Sequence, residues 1–225
     1  MIRLVDIHKS YDPQVSGTVL DGLNLDIESG QFVSLLGRSG SGKTTLLNII
    51  GGLDRDFRGQ ALVDGHDLKK MKDGELSEFR NRTIAFVFQA FNLLPHLSCK
   101  ENVAFPAYFG TRVSRQDIDR KAHEAMERVG IAHKANSYPG KMSGGEKQRI
   151  AIARAIFQQS KVLLADEPTG NLDSKSSQHI MELFMQLIKE DGLTCVMVTH
   201  DEQLALTTDR VVRIVDGVIV GEDGA

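Results

Sequence analysis

An apolar pentad, Phe32-Val33-Ser34-Leu35-Leu36, runs into Gly37-Arg38-Ser39-Gly40-Ser41-Gly42-Lys43-Thr44 and then into Thr45-Leu46-Leu47-Asn48-Ile49-Ile50. The middle octet fits G-x-x-x-x-G-K-[ST], the phosphate-binding loop. Its flanks read as a strand before and a buried helix after, the setting in which this motif has a mechanical meaning. This stretch demands α/β architecture around itself. The glycines let the backbone come close to phosphates and turn its N–H groups inward. The helix N-terminus adds the positive end of a dipole. Lys43 places a point charge on β- and γ-phosphates, and the Thr44 hydroxyl is a hard oxygen ligand for Mg²⁺. A Gly/Ser linker would need neither Lys-Thr at this offset nor an apolar strand ahead of it. The motif implies a nucleoside triphosphate and is silent about what that nucleotide drives.

The rest of the chain narrows the partners. Its 225 residues suffice for one large domain with a proper core. A net charge of −3 with dispersed basic residues does not support a nucleic-acid-binding face. Cys99 and Cys195 make no metal pattern, and Cys195 lies in an apolar run as a core thiol would. The first residues lack a signal-peptide hydrophobic region, and no apolar run is long enough to span a bilayer. A role at a membrane is therefore expected to come through a partner.

Residues 2–7 and 19–27 alternate like strands around a loop rich in Pro, Gly and Ser, which predicts a small antiparallel sheet. Tyr11, at the start of that loop, reads by residue type alone as core rather than ligand. Gly51-Gly52-Leu53-Asp54 stops the first helix. Residues 60–63 form a short strand ahead of an Asp64-Gly65 turn. After a weakly helical stretch at 75–82, residues 84–88 are a fully apolar strand with Gln89 at its carboxyl end. Ligands sit at that end in open α/β sheets. Gln89 is thus a candidate for touching the metal or the attacking water. From residue 90 to 142 strand signals give way to helical ones. Phe91, Leu93, Leu94, Pro95 and Leu97 crowd a loop with apolar surface, either as a satellite core or as a patch on which a partner docks. Ser114 to Asp117 opens a helix with a capping-box pattern, and Gly130 closes it.

Met142-Ser143-Gly144-Gly145-Glu146 opens another helix, again with a capping box. Ser143 could serve only as its cap. The alternative is that Ser143, the Gly144 and Gly145 amides and the helix dipole form a second anion site. The paired glycines favour that reading, since a plain cap does not need them. Residues 161–168 form a buried parallel strand ending in two carboxylates. Asp166 can hold Mg²⁺ through water, and Glu167 can accept a proton from the water that attacks a γ-phosphate. Gly170-Asn171-Leu172-Asp173 is a tight loop, 180–188 an amphipathic helix and 193–199 a buried strand. His200 follows that strand. Alone it would be structural; at the same sheet edge as Asp166 and Gln89 it is placed to sense the γ-phosphate. Residues 211–220 close as a hairpin.

Taken together, the chain resembles the nucleotide-binding domain of ATP-binding cassette (ABC) transporters over essentially its whole length. The motifs stand in the family's order: phosphate loop 37–44, Gln loop at Gln89, Ser-Gly-Gly signature 143–148, Walker B strand 162–167, D-loop 170–173 and switch His200. The signature is the most specific of them, because other phosphate-loop enzymes lack it. The resemblance implies a P-loop NTPase (RecA-like) core with an antiparallel β subdomain and an inserted α-helical subdomain. Its bounds would be about 1–89 and 160–225 for the core and about 90–159 for the insertion. It turns Tyr11 into the aromatic that stacks on adenine and makes Arg38, Ser39, Gly40, Ser41 and Thr45 part of the nucleotide site. It also implies a mechanism. Two domains meet head to tail as a homodimer around two ATP molecules, with each phosphate loop facing the other copy's Ser143, Gly144 and Gly145. Hydrolysis, with Glu167 as base and His200 as orienter, releases the dimer. The apolar residues at 91–97 become the groove for an integral membrane subunit, at the cytoplasmic face of the inner membrane.

Gly51-Gly52-Leu53-Asp54, Phe91-Asn92-Leu93-Leu94-Pro95, Glu101-Asn102-Val103 and the run 165–173 look like the lipoprotein-release and macrolide-export branch (LolD-like, MacB-like). Two departures, Met142 for the usual Leu and Glu-Lys-Gln after the glycines, leave the phosphate-contacting Ser and Gly atoms in place. No extra C-terminal regulatory domain is seen, which argues against many sugar and methionine importers. Two competing readings differ in class. A non-transport ABC ATPase, such as a cell-division mechanotransmission subunit, would use the same motifs. A small-molecule kinase would leave the signature and Glu167 without a purpose.

Overall fold

The structure, a computed structural model, describes residues 1–11, 17–109 and 114–224. Strands β1 (Ile2–Lys9) and β2 (Leu20–Ile27) pair antiparallel, their inward residues alternating with solvent-facing ones. The fully buried β3 (Phe32–Leu36) leads into the phosphate loop and helix α1 (Lys43–Ile50). Beyond it, β4 (Arg58–Val63) and the two-residue β5 (His66–Asp67) extend the first sheet into the antiparallel order β2-β1-β4-β5. The turn between them is the Asp64-Gly65 pair, both at positive φ, as a tight hairpin requires.

Helix α2 (Asp73–Thr83) is longer than its weak sequence signal, and β6 (Ile84–Phe88) follows it directly. Between 90 and 159 the described regular elements are helical: α3 (Cys99–Ala104), α4 (Arg115–Arg128), α5 (Gly144–Phe157) and short 3₁₀ turns. Ser98, Ser114 and Ser143 cap these three helices by accepting from the backbone N–H three residues on. The chain finishes with β7 (Val162–Asp166), α6 (Ser174–Asp191), β8 (Thr194–Thr199), the short α7 (Glu202–Ala205), and the hairpin β9 (Arg210–Val215) and β10 (Val218–Gly224).

The second sheet has the order β10-β9-β3-β8-β7-β6 and is parallel except at β10. Its inner strands are apolar on both faces because both faces are covered. Val33, Leu35, Leu164, Val196 and Val198 join a core shared with α1 and the antiparallel sheet. Phe32, Leu163, Ala165, Cys195 and Met197 join a second core shared with α3 to α6. Full burial of each such Val or Leu contributes on the order of 2 kcal/mol. Both cysteines are buried core thiols, and burial pushes the Cys195 thiol well above its ordinary range. The register then decides the site. Leu36 pairs with Thr199, Asp166 with Val198 and Phe88 with Asp166. All four strands therefore end level, and whatever follows them meets at one edge.

A candidate active site at the carboxyl edge of the parallel sheet

The phosphate loop leaves β3 under close constraint. A side chain at Gly37 would strike the Ile214 carbonyl, 2.3 Å from where its Cβ would lie, so β9 forces glycine there. Gly42, at φ 97°, packs against the Val19 carbonyl and caps α1 without any side-chain hydrogen bond. Gly217 in the β9–β10 turn donates its N–H to the Ser41 carbonyl at 3.2 Å. The loop is thus braced by the C-terminal hairpin on one side and by the approach to β2 on the other.

Within it, the buried Lys43 ammonium donates to the carbonyls of Gly37 and Arg38, both at 2.8 Å. Burial lowers Lys43 from the usual lysine range, opposed by the negative charges of Glu167 and Asp166. Thr44 Oγ1 donates to Asp166 Oδ1 at 3.2 Å, joining the first turn of α1 to the end of β7. Burial raises the Asp166 carboxyl above the ordinary carboxylate range, the Thr44 hydrogen bond works against that, and the charge of Glu167 adds to it. Two hard oxygen donors, one a desolvated carboxylate without a close ion-pair partner among the described residues, suit a small divalent cation.

Glu167 turns the chain out of β7 with φ 43°, a left-handed conformation costly for a side-chain-bearing residue. Its N–H donates to the Val198 carbonyl at 3.0 Å, and its own carbonyl accepts from Gly170 N–H at 3.0 Å. These bonds hold the strained residue, and its Oε1 accepts from His200 Nδ1 at 3.0 Å. A cleft of about 700 Å³ is lined by Gly37, Arg38, Ser39, Glu167 and His200. Gln89 is half-buried beside the D-loop: its carbonyl accepts from Asn171 Nδ2 at 2.9 Å, and a Cβ on Gly170 would lie 2.7 Å from its Nε2. The loop's Lys43 and Thr44, the two carboxylates, His200 and Gln89 therefore gather at one edge. Tyr11 is 59% exposed, so it is not the core residue its type suggested; its hydroxyl lies 3.2 Å from Thr45 Oγ1.

Ser143, Gly144 and Gly145 do not line that cleft. They stand at the head of α5, where Gly144 packs on the D-loop: a Cβ there would be 3.1 Å from Leu172 Cδ2 and 3.5 Å from the Asn171 carbonyl. Close packing thus gives Gly144 a second reason to be glycine. Sequence reasoning missed Asn102. Buried, it accepts from Leu94 N–H at 2.7 Å and donates to the carbonyls of Leu94, Leu97 and Ser98, which fastens the backbone of the apolar loop. It also missed Arg154, whose guanidinium holds the carbonyls of Phe91 and Asn92, both at positive φ.

The family model for ABC transporters matches residues 20–170. The chain belongs to the ABC transporter family. It is an ATP-binding cassette ATPase. Over 98% of its length it is 46% identical to the whole of the lipoprotein-releasing system ATP-binding protein LolD of Bacteroides fragilis. It is 45% identical to the macrolide export ATP-binding/permease protein MacB of Syntrophobacter fumaroxidans, of which it spans 32%. Among solved structures, the dimeric cassette MJ0796 bound to ADP and Pi superimposes with a TM-score of 0.92 at 40% identity, covering 100% of this chain and 98% of that one. Among the described residues no helix is long and apolar enough to cross a membrane.

Proposed function

We propose that this cassette hydrolyses ATP between two head-to-tail copies and so drives a membrane partner of the lipoprotein-release or export type. The observation that carries it is the separation of two helix termini suited to phosphate. The head of α1 joins the hydrolytic edge through the Thr44–Asp166 hydrogen bond, whereas the head of α5 packs on the D-loop at Asn171 and Leu172. A second copy, turned around, can bring its Ser143, Gly144 and Gly145 to the γ-phosphate. The dimeric cassette with which this chain superimposes supports such pairing, and full-length similarity to LolD proteins supports the branch.

In this reading Tyr11 stacks on adenine, and Arg38, Ser39, Gly40, Ser41, Gly42 and Thr45 offer loop amides and hydroxyls to the phosphates. Lys43 holds β- and γ-oxygens. Thr44, Asp166 and Gln89 would hold Mg²⁺, which would neutralise phosphate charge. Glu167 accepts a proton from water as its oxygen attacks the γ-phosphorus; the bond to the β–γ bridging oxygen breaks and ADP leaves. His200 keeps the Glu167 carboxylate aimed. The helical stretch of about 90–159 forms the arm that carries the signature. Phe91, Leu93, Leu94 and Leu97, half-buried on a backbone fastened by Asn102, receive a membrane subunit's cytoplasmic helix; in this reading the cassette sits peripherally at the cytoplasmic face.

The test is to purify tagged Glu167→Gln protein with ATP from detergent-solubilised membranes and identify what accompanies it. A protein of few spans with a large periplasmic domain is expected. A many-span permease would move the assignment to another transport branch. A division protein, or soluble partners alone, would overturn it.

A further inference from the structure

Lys9 is the last residue of β1, and its side chain is 3% exposed. Its ammonium is held by the Asp54 carboxylate at 3.0 Å and the Asp56 carboxylate at 3.3 Å, and it donates to the Asp56 carbonyl at 2.5 Å. Burial works against that charge, but the hydrogen bonds and charges of the two aspartates outweigh it and keep Lys9 above the usual lysine range. The same ammonium stands 4.7 Å from the centroid of the Tyr11 ring. Asp54 follows the end of α1, where its N–H donates to the Asn48 carbonyl at 3.2 Å. Tyr11 is therefore tied to both ends of the phosphate-loop helix: to Thr45 at its start through the hydroxyl, and to Asp54 past its end through Lys9.

An apolar residue would fill a buried strand position without two carboxylates to satisfy it. The arrangement here sets a buried cation against an aromatic ring that is itself 59% exposed. A cation on one face of an aromatic ring is attracted by its π-density and withdraws part of it. The ring's other face is then fixed in place and electron-poor, and stacks better on an electron-rich purine. We propose that Lys9 is a positioning residue for the nucleotide base, acting through the Tyr11 ring that it holds against the start of α1. This rests on the reading that Tyr11 stacks on adenine. Lys9 touches neither base nor phosphate; its effect is confined to the base half of the ligand.

That confinement supplies the test. Calorimetric titration of the purified full chain with ATP is compared with titration by inorganic tripolyphosphate, which has no base. Lys9→Met is expected to weaken ATP binding about fivefold and to leave tripolyphosphate binding unchanged. Tyr11→Leu, at an exposed position, is expected to weaken ATP more, and to affect tripolyphosphate no more than Tyr11→Phe does, since both lose the hydroxyl beside Thr45 Oγ1. Adding Lys9→Met to Tyr11→Leu should cost nothing further. Equal weakening of both ligands by Lys9→Met, or losses that add in the double variant, would make Lys9 a general structural residue and overturn the proposal. Unchanged ATP affinity in Tyr11→Leu would instead remove the stacking reading, and the proposal with it. Should Lys9→Met not fold, Lys9→Arg keeps a cation on the ring. It is expected to bind ATP within about twofold of the parent, and a selective loss of ATP over tripolyphosphate there would overturn the proposal.

Discussion

Helices α1 and α5 both begin in a Gly-rich turn, yet their N-termini are built in opposite ways. The head of α1 is capped by Gly42 in a left-handed conformation, with no side-chain cap and no acidic residue in its first turn. Its orphan N–H groups are left for a ligand, with the buried Lys43 ammonium beside them. The head of α5 is closed by its own residues. Ser143 Oγ accepts from Glu146 N–H at 3.3 Å, and Ser143 N–H donates to Glu146 Oε2 at 2.8 Å. That amide, joined by Lys134 Nζ at 3.3 Å, keeps the Glu146 carboxyl below its ordinary range and therefore charged. A carboxylate so near the α5 terminus repels a free phosphate. In the proposed mechanism the α1 terminus binds phosphate alone, and the α5 terminus meets a phosphate already held elsewhere. On the proposed reading, one chain carries one autonomous anion site and one conditional site, a reason for a cassette to work in pairs.

The sharpest way to break this comparison is Glu167→Gln. Hydrolysis should fall about a hundredfold or more, while ATP still binds and the paired state accumulates. Phosphate release and gel filtration check both, and near-normal turnover would remove the base assignment. Next in size is Lys43→Ala, expected to weaken ATP binding about tenfold or more; unchanged affinity by calorimetry would mean that the α1 terminus needs no lysine. Ser143→Ala in the Glu167→Gln background should leave ATP binding to the single chain intact and abolish ATP-dependent pairing. It should also cost about 1 kcal/mol of folding stability through the lost cap, measured by urea unfolding. If pairing survives, the conditional site lies elsewhere.

The smallest change in stability is expected at Asp166. Its folded-state value is raised, so its contribution to stability is favourable below the unfolded carboxylate value and is lost as pH rises through the folded one. At neutral pH the buried charge beside Glu167 therefore destabilises the empty fold. Asp166→Asn should raise Tm by about 2 °C at pH 7, lose that gain once the pH falls below the ordinary aspartate range, and abolish hydrolysis. A lower Tm at neutral pH would show that the Thr44–Asp166 hydrogen bond outweighs the charge.

How far the chain could be read before folding depends on the range of the forces involved. The order of the main strands and helices, the phosphate loop, the two strand-end carboxylates and the serine caps at Ser114 and Ser143 were legible, because apolar periodicity and capping act over a few residues; the Ser98 cap was not read. The α2 helix was faint, since its apolar content is low and Leu76 and Phe79 matter only once buried. Phe91 to Leu97 read as an apolar loop with two explanations. What holds its backbone, Asn102 and Arg154, lies 5 to 63 residues away along the chain.

The sequence by itself determined which residues can cradle phosphate, coordinate a cation and accept a proton, because that chemistry belongs to side-chain type and local spacing. Only the tertiary structure decided that they meet. The level register of β3, β6, β7 and β8 sets residues from 37 to 200 on one edge. The same packing leaves Ser143 outside that cleft, exposes Tyr11 and slides Lys9 beneath its ring. Those outcomes depend on backbone pairing and close packing between segments far apart in the chain, where no local pattern of residues carries the information.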